Sequence, residues 1–214
     1  ITVDESRSLN MELDIVKGLQ WDNGFISPYM ATDLATMTCE LENPLVLVSD
    51  KKFNSAEQLL PFLEEAAKTG NKNLLIVCED VVDQALGLVV INRMKGNMNT
   101  LCVKVNGFGD RKKANLEDIA IVTGAKLHAT EMDMEFKITK DIFGTCDKVV
   151  SKKDSTTIIG GHGEVADRLK QVEAELKGAE TDFERDKLKE RLAKLEGGIG
   201  IIRVGAASEI EMIE

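Results

Sequence analysis

Along this chain the period of apolar and polar positions changes several times. Short aliphatic runs, Leu45-Val46-Leu47-Val48, Leu74-Leu75-Ile76-Val77 and Leu101-Cys102-Val103-Lys104-Val105, each precede a stretch of helical spacing, over 55–68, 81–94 and 116–122. Strand, helix and strand in succession predict an α/β fold with a largely parallel sheet and right-handed crossovers. After residue 163 the period stays helical. Leu169, Val172 and Leu176 mark one helix, and Leu188, Leu192 and Leu195 a second. Thr181-Asp182-Phe183-Glu184 has the form of a capping box, and Gly197-Gly198 stops what it starts. A helical hairpin packed on the sheet is therefore expected at the C-terminal end, its mixed charges forming a solvated face.

Two of the predicted helices carry more apolar surface than one core needs. In the first, Ser55 and Gln58 form a candidate capping box and Gly70 is the stop. At 100° per residue Leu59, Leu60, Phe62, Leu63, Ala66 and Ala67 spread over an arc of roughly 160°, against a stripe of ~100° for docking on a single core. Leu60, Leu63 and Ala67 are the surplus. The helix is either wedged between two layers of its own fold or offers a free face. In the second helix Val81, Val82, Ala85, Leu86, Leu88, Val89, Val90, Ile91 and Met94 leave little polar surface. A doubly wound sheet covers each helix on one side only, so Leu60 and Leu63 beside Leu86, Val90 and Ile91 would make an apolar groove, and such patches mark interaction sites.

The stretch WDNGFISPYM, residues 21–30, holds the only Trp and the only Tyr of the chain. Asn23-Gly24 and Pro28 exclude both a helix and an uninterrupted central strand there. Two placements are open. Phe25, Tyr29 and Met30 either extend the groove with rigid aromatic area and a deformable thioether, or close the bottom of the core.

Charge and titratable groups narrow the chemistry. Lys and Arg number 27 and Asp and Glu 37, a net charge of −10 that repels phosphate backbones and argues against general nucleic-acid binding. Cys39, Cys78, Cys102 and Cys146 form no C-x-x-C pair and read as buried free thiols, which implies a reducing compartment. No apolar run approaches the roughly 20 residues of a membrane helix. His128 and His162 lack the neighbours of a metal site, so neither metal nor cofactor is expected here. Glu79-Asp80 and Glu117-Asp118 read as negative charge at helix starts rather than as acid–base dyads. The chain opens on ITV and its two ends are strand-like, at 1–3 and 201–204, which suggests a domain cut from a longer protein and joined to a neighbour by two crossings.

The residues also carry a resemblance. LDIVKGLQWDNGFISPYM, LPFLEEAAKTG, LLIVCEDV, VKVNGFGDRKKANLEDIA, TTIIGG and ERLAKLEGG, in that order and over essentially the whole chain, resemble the apical region of the group I chaperonins, the Hsp60 and GroEL family. The resemblance implies an α/β apical domain of the swivelling β/β/α type over 18–204, flanked by intermediate-domain segments at 1–17 and 205–214, with Gly18 and Gly205 at the hinges. It implies a molecular chaperone, not an enzyme in itself. Non-native polypeptide and the mobile loop of a GroES- or Hsp10-type co-chaperonin would bind at Phe25, Tyr29, Met30, Leu60, Leu63, Leu86, Val90 and Ile91. ATP and Mg would act in an equatorial domain outside this chain, within a homo-oligomeric ring in the bacterial cytoplasm or an organellar matrix or stroma. Met30 departs from the aromatic common at its place, and Asn71-Lys72-Asn73 is one residue longer than usual.

The rival is a phosphate- or nucleotide-binding α/β enzyme domain using the Gly107-Phe108-Gly109 turn between strand and helix. Lys112 stands where G-x-G-x-x-G needs its third glycine, and no P-loop is present.

Overall fold

The computed structural model describes residues 11–16, 18–132, 134–197, 199–204 and 207–211. The expected end strand at 1–3 and the hinge candidate Gly205 lie outside them. In chain order the elements are β1 (Met11–Val16), β2 (Gly18–Trp21), β3 (Cys39–Glu42), β4 (Leu45–Ser49), β5 (Lys52–Phe53), α1 (Ala56–Lys68), β6 (Asn73–Cys78), β7 (Asp80–Val81) and α2 (Asp83–Met94). They continue as β8 (Asn99–Lys104), α3 (Asp110–Thr123), β9 (Leu127–His128), β10 (Gly144–Ser151), β11 (Thr156–Gly161), α4 (Ala166–Lys177), α5 (Asp182–Gly197), β12 (Ile199–Val204) and β13 (Ala207–Glu211).

The fold is mixed α/β. Its main sheet has eight strands in the order β2-β11-β10-β4-β6-β8, with β3 on β10 and β9 on β4. The three aliphatic runs form the parallel part, with Leu45 opposite Leu74, Val48 opposite Val77 and Ile76 opposite Cys102. The expectation of a largely parallel sheet is corrected by the other part: β2, β11, β10 and β3 pair antiparallel, and so does β10 with β4. The signal for these strands is a hairpin, VVSKKDSTTII, whose hydrophilic tip was overshadowed by the strand–helix repeat. β10 is the joint, since Gly144 and Thr145 pair with β4 whereas residues 148–151 pair with β3. Asn43, at φ 47°, makes the sharp turn that lets β3 and β4 share that neighbour.

Crossover handedness places the helices. From β4 through α1 to β6 and through α2 to β8 the chain advances in one direction, so right-handed connections put α1 and α2 on one face, where they pack together. α3 leads back across β6 and β4 to β9, which puts it on the opposite face. Gln58 Oε1 accepts the N–H of Ser55 at 3.1 Å and completes the N-terminal cap of α1. The second helix starts later than its spacing implied: Val81 pairs in β7 and Val82 is the N-cap of α2, so part of the all-round apolar pattern belongs to a strand.

The hairpin of α4 and α5 forms, and Thr181 Oγ1 accepts the N–H of Glu184 at 3.1 Å at its turn. Its apolar stripe meets α3 rather than the bare sheet, with Val122, Val172 and Leu195 buried together. Nor are its charges all solvated. Arg168 Nε donates to Asp118 Oδ1 at 2.7 Å and Arg191 Nε to Asp118 Oδ2 at 2.9 Å, all three side chains being largely withdrawn from solvent. Asp118 is buried in the middle of α3, which corrects its reading as a helix-start charge. β1, β12 and β13 form a separate antiparallel sheet in the order β1-β12-β13, with Met11 opposite Val204, so the first described strand runs beside β12 and β13 lies on the other side of β12. Gly18, buried, opens β2 opposite Ile159.

Candidate apolar docking face

The segment 21–30 is built against the free edge of β8. Outward-facing carbonyls on that strand belong to Thr100, Cys102 and Lys104, two residues apart. Arg93 Nη1 donates to the first at 3.4 Å, the Ile26 N–H to the second at 2.9 Å and Trp21 Nε1 to the third at 2.8 Å. Cys102 N–H, also outward, donates to Met30 Sδ at 3.4 Å. Phe25 adds a bridge to Val103 and donates its N–H to Lys152 C=O at 3.2 Å. An uncovered edge would be a template for strand pairing, and this segment removes it. Gly24 is required by that approach, since a Cβ there would lie 1.6 Å from the Lys152 carbonyl oxygen. Gly24 thus serves a close approach of two backbone segments.

This arrangement decides between the two placements of the aromatic segment, residue by residue. Met30 is 0% exposed and Phe25 8%, so both belong to the core and are not part of an open surface. Leu63, at 4%, is also buried, and belongs with Phe62 and Ala66 to the core cluster. The groove inferred from sequence loses these three side chains. Tyr29 remains open at 71%, Ile91 at 51% and Leu60 at 41%. Leu86 and Val90 are half-buried.

The open residues stand on elements in contact. Pro28–Met30 is a single 3₁₀ turn started by Ser27, whose Oγ accepts the Tyr29 N–H at 3.3 Å, and this turn packs on both β8 and α2. With Met30 pointing inward as its anchor, Tyr29 points out beside α2. α2 in turn packs on α1, which carries Leu60. Met94, exposed and four residues beyond Val90, continues the stripe Leu86-Val90-Met94 along α2. Sequence reasoning counted Met94 among the apolar positions without assigning it to the face; its i+4 spacing was the available signal.

Other candidates fall elsewhere. Gly107 and Gly109 take φ 97° and 58° between β8 and α3, as a strand-to-helix turn requires. Lys112 there is ion-paired with Glu79, and Lys104 with Asp80 at 3.1 Å, so this acidic pair neutralises lysines rather than a helix end. A cavity of about 610 Å³ lies between β2, the start of α3 and α5, with Leu19, Trp21, Val105 and Leu188 in its wall and Arg111 and Lys187 at its rim. Arg111 rests on the Phe183 ring, 4.2 Å from the centroid. His128 is buried between Phe62 and Phe136 and bonds Ser49 Oγ through Nδ1 at 2.9 Å. All four cysteines are free and buried. Burial, and behind it the Asp147 charge, pushes the Cys146 thiol up to about 12, and burial raises the other three.

Among the described residues no cluster of three or more His, Cys, Asp or Glu is placed to hold a metal ion, and no helix is long and apolar enough to cross a membrane. No protein-family model matches the chain.

Proposed function

We propose that the chain is an apical domain of the group I chaperonin kind, of swivelling β/β/α architecture, which captures non-native polypeptides on the face formed by Tyr29, Leu60, Leu86, Val90, Ile91 and Met94. One observation carries this reading: a tyrosine whose neighbour Met30 is fully buried stands out beside α2, which packs on α1, and both helices leave large aliphatic side chains in water. Isolated exposed apolar residues are ordinary, whereas a set shared by three adjoining elements marks an interaction surface.

The chemistry follows from what such a face recognises. A non-native chain exposes apolar side chains in any order, and each square ångström removed from water contributes about 25 cal/mol without a sequence code. Helix faces and a tyrosine ring adapt to many partners, and Met94 adds a flexible thioether. In this reading several such domains in a homo-oligomeric ring bind one client together, so weak faces give strong capture. ATP with Mg acts in a part of the protein beyond this chain. It swings the domain about hinges at Gly18 and Gly205, and a co-chaperonin loop then takes the same side chains, releasing the client. The domain itself needs neither cofactor nor catalytic group for this task, and the setting is the bacterial cytoplasm or an organellar matrix.

Competition tests the reading. A co-chaperonin mobile-loop peptide added to the chain saturated with a permanently unfolded, reduced and alkylated protein is expected to displace it stoichiometrically. Simultaneous binding of both would overturn the shared face.

A further inference from the structure

Thr145 and Asp147 stand two residues apart on β10, so both side chains leave the same side of the strand. His162, one residue past β11, reaches in between. Thr145 Oγ1 lies 2.8 Å from His162 Nδ1, and His162 Nε2 lies 2.8 Å from Asp147 Oδ1. The backbone holds the group as well, since the His162 N–H donates to the Thr145 carbonyl at 3.2 Å and Cys146 is in register with Gly161. Gly160, at φ 66°, leaves the room that the carboxylate occupies: a Cβ there would lie 2.0 Å from Asp147 Oδ2.

The partners fix the tautomer. An ionised Asp147 only accepts, so Nε2 of the neutral ring carries the hydrogen and donates it. Nδ1 is then left with its lone pair, and the Thr145 hydroxyl donates to it. A hydroxyl hydrogen-bonded to an imidazole that a carboxylate orients is the arrangement that activates an oxygen nucleophile. Here the roles of the two ring nitrogens are exchanged relative to the serine-protease triad, but the order of proton acceptor and orienting anion is the same. The buried Ser49–His128 pair has a similar hydroxyl–imidazole bond yet is closed off between Phe62 and Phe136. His162 and Asp147 are open to solvent, and so accessible to a substrate.

We propose that Thr145, His162 and Asp147 form a surface relay that makes Thr145 an acyl acceptor for small activated esters, an activity separate from polypeptide capture and independent of it. Thr145 Oγ1 adds to the ester carbonyl carbon while its proton passes to His162 Nδ1. The tetrahedral adduct collapses, the bond to the leaving oxygen breaks, and that oxygen takes the proton from Nδ1. Water then adds to the acyl-threonine, gives its proton to Nδ1 and releases the acid, and Thr145 recovers its proton. The sum is ester plus water to acid plus alcohol. Because the relay lies on an open sheet face, binding contributes little, and the reaction is confined to small esters with a good leaving group.

The test uses the full chain with p-nitrophenyl acetate and follows acetyl transfer to each residue by peptide mass spectrometry, with fragment ions separating Thr145 from Cys146. Thr145 is expected to be acetylated, with the label lost at least about a hundredfold in His162→Ala, the low end of what a general base contributes. Lysine acetylation, which does not pass through His162, should stay unchanged in the same sample. Retained Trp21 fluorescence shows that the variant is folded. Should His162→Ala unfold, Asp147→Asn carries the same requirement, because the ring then loses the anion that fixes its tautomer. A native chain that carries no label on Thr145 and releases p-nitrophenol no faster than His162→Ala, or a label that both variants keep, would overturn the proposal.

Discussion

Cys102 donates its backbone N–H to the sulfur of Met30 at 3.4 Å, on the outward edge of β8. A thioether is a weak acceptor. Here it closes an N–H on the side of β8 that β6 does not reach, while filling a fully buried space. This contact ties the position of Tyr29 to the sheet, since the two residues share one 3₁₀ turn.

Met30 substitutions should therefore separate volume from hydrogen bonding. Met30→Ala is expected to lower the unfolding free energy by roughly 2–5 kcal/mol through lost burial and the cavity left behind. Met30→Leu keeps the volume but orphans the Cys102 N–H, for a cost of about 1–3 kcal/mol. Urea unfolding checks both. A neutral Met30→Leu would mean that the N–H···S contact contributes nothing.

The hairpin of α4 and α5 is predicted to depend on Asp118. Asp118→Ala leaves Arg168 and Arg191 without the carboxylate that both approach within 3 Å. Breaking one partner of a buried ion pair costs roughly 3–5 kcal/mol, several times an exposed pair. Urea titration monitored at Trp21, which lines the cavity beside α5, reads the loss. A change within about 0.5 kcal/mol, the range of surface substitutions, would show that the network is not stabilising.

Thiol chemistry supplies a pH prediction. Cys146 is pushed up to about 12, so on the order of 10⁻⁴ of it is ionised at pH 8, and only the thiolate reacts. The three other thiols are raised in the same direction by burial. The folded chain is expected to show no fast reaction with an aromatic disulfide reagent at pH 8, and four reactive thiols in denaturant. A fast-reacting thiol in the folded chain would contradict the packing around it.

How far the sequence could be read depends on the range of the interactions involved. Strand and helix periods are local, and the runs at Leu45, Leu74 and Leu101 did become neighbouring parallel strands. Excess apolar area on the first two helices was legible for the same reason. Which residue of the surplus faces outward was not. Leu60 and Leu63 are separated by less than one helical turn, and only the position of the sheet decides that Leu63 is inside. The residues of WDNGFISPYM leave both placements of Phe25 and Met30 open, and the outward one comes from the resemblance alone, because nothing in the stretch reveals that β8 is an edge needing cover. The antiparallel half, the bonds of Asp118 to arginines 50 and 73 residues away, and the meeting of Thr145 with His162 are products of topology.

Stability should follow that division of faces. Leu63→Ser is expected to cost roughly 2–5 kcal/mol as a core truncation. Leu60→Ser, three residues earlier and exposed, should change stability by no more than about 0.5 kcal/mol. Equal costs, measured by thermal or urea unfolding, would mean that α1 is rotated from the orientation described.

The central claim, that the face of Tyr29, Leu60 and Ile91 holds non-native polypeptide, is tested most directly by the affinity of the chain for a permanently unfolded, reduced and alkylated protein. Tyr29→Ser and Ile91→Ser are compared with Leu34→Ser, an exposed apolar residue outside the proposed face. Each of the first two variants is predicted to stay folded and to weaken binding at least about tenfold, which corresponds to roughly 1.4 kcal/mol. Leu34→Ser is predicted to leave binding unchanged. Undiminished binding by folded Tyr29→Ser and Ile91→Ser, or an equal loss in Leu34→Ser, would contradict the account.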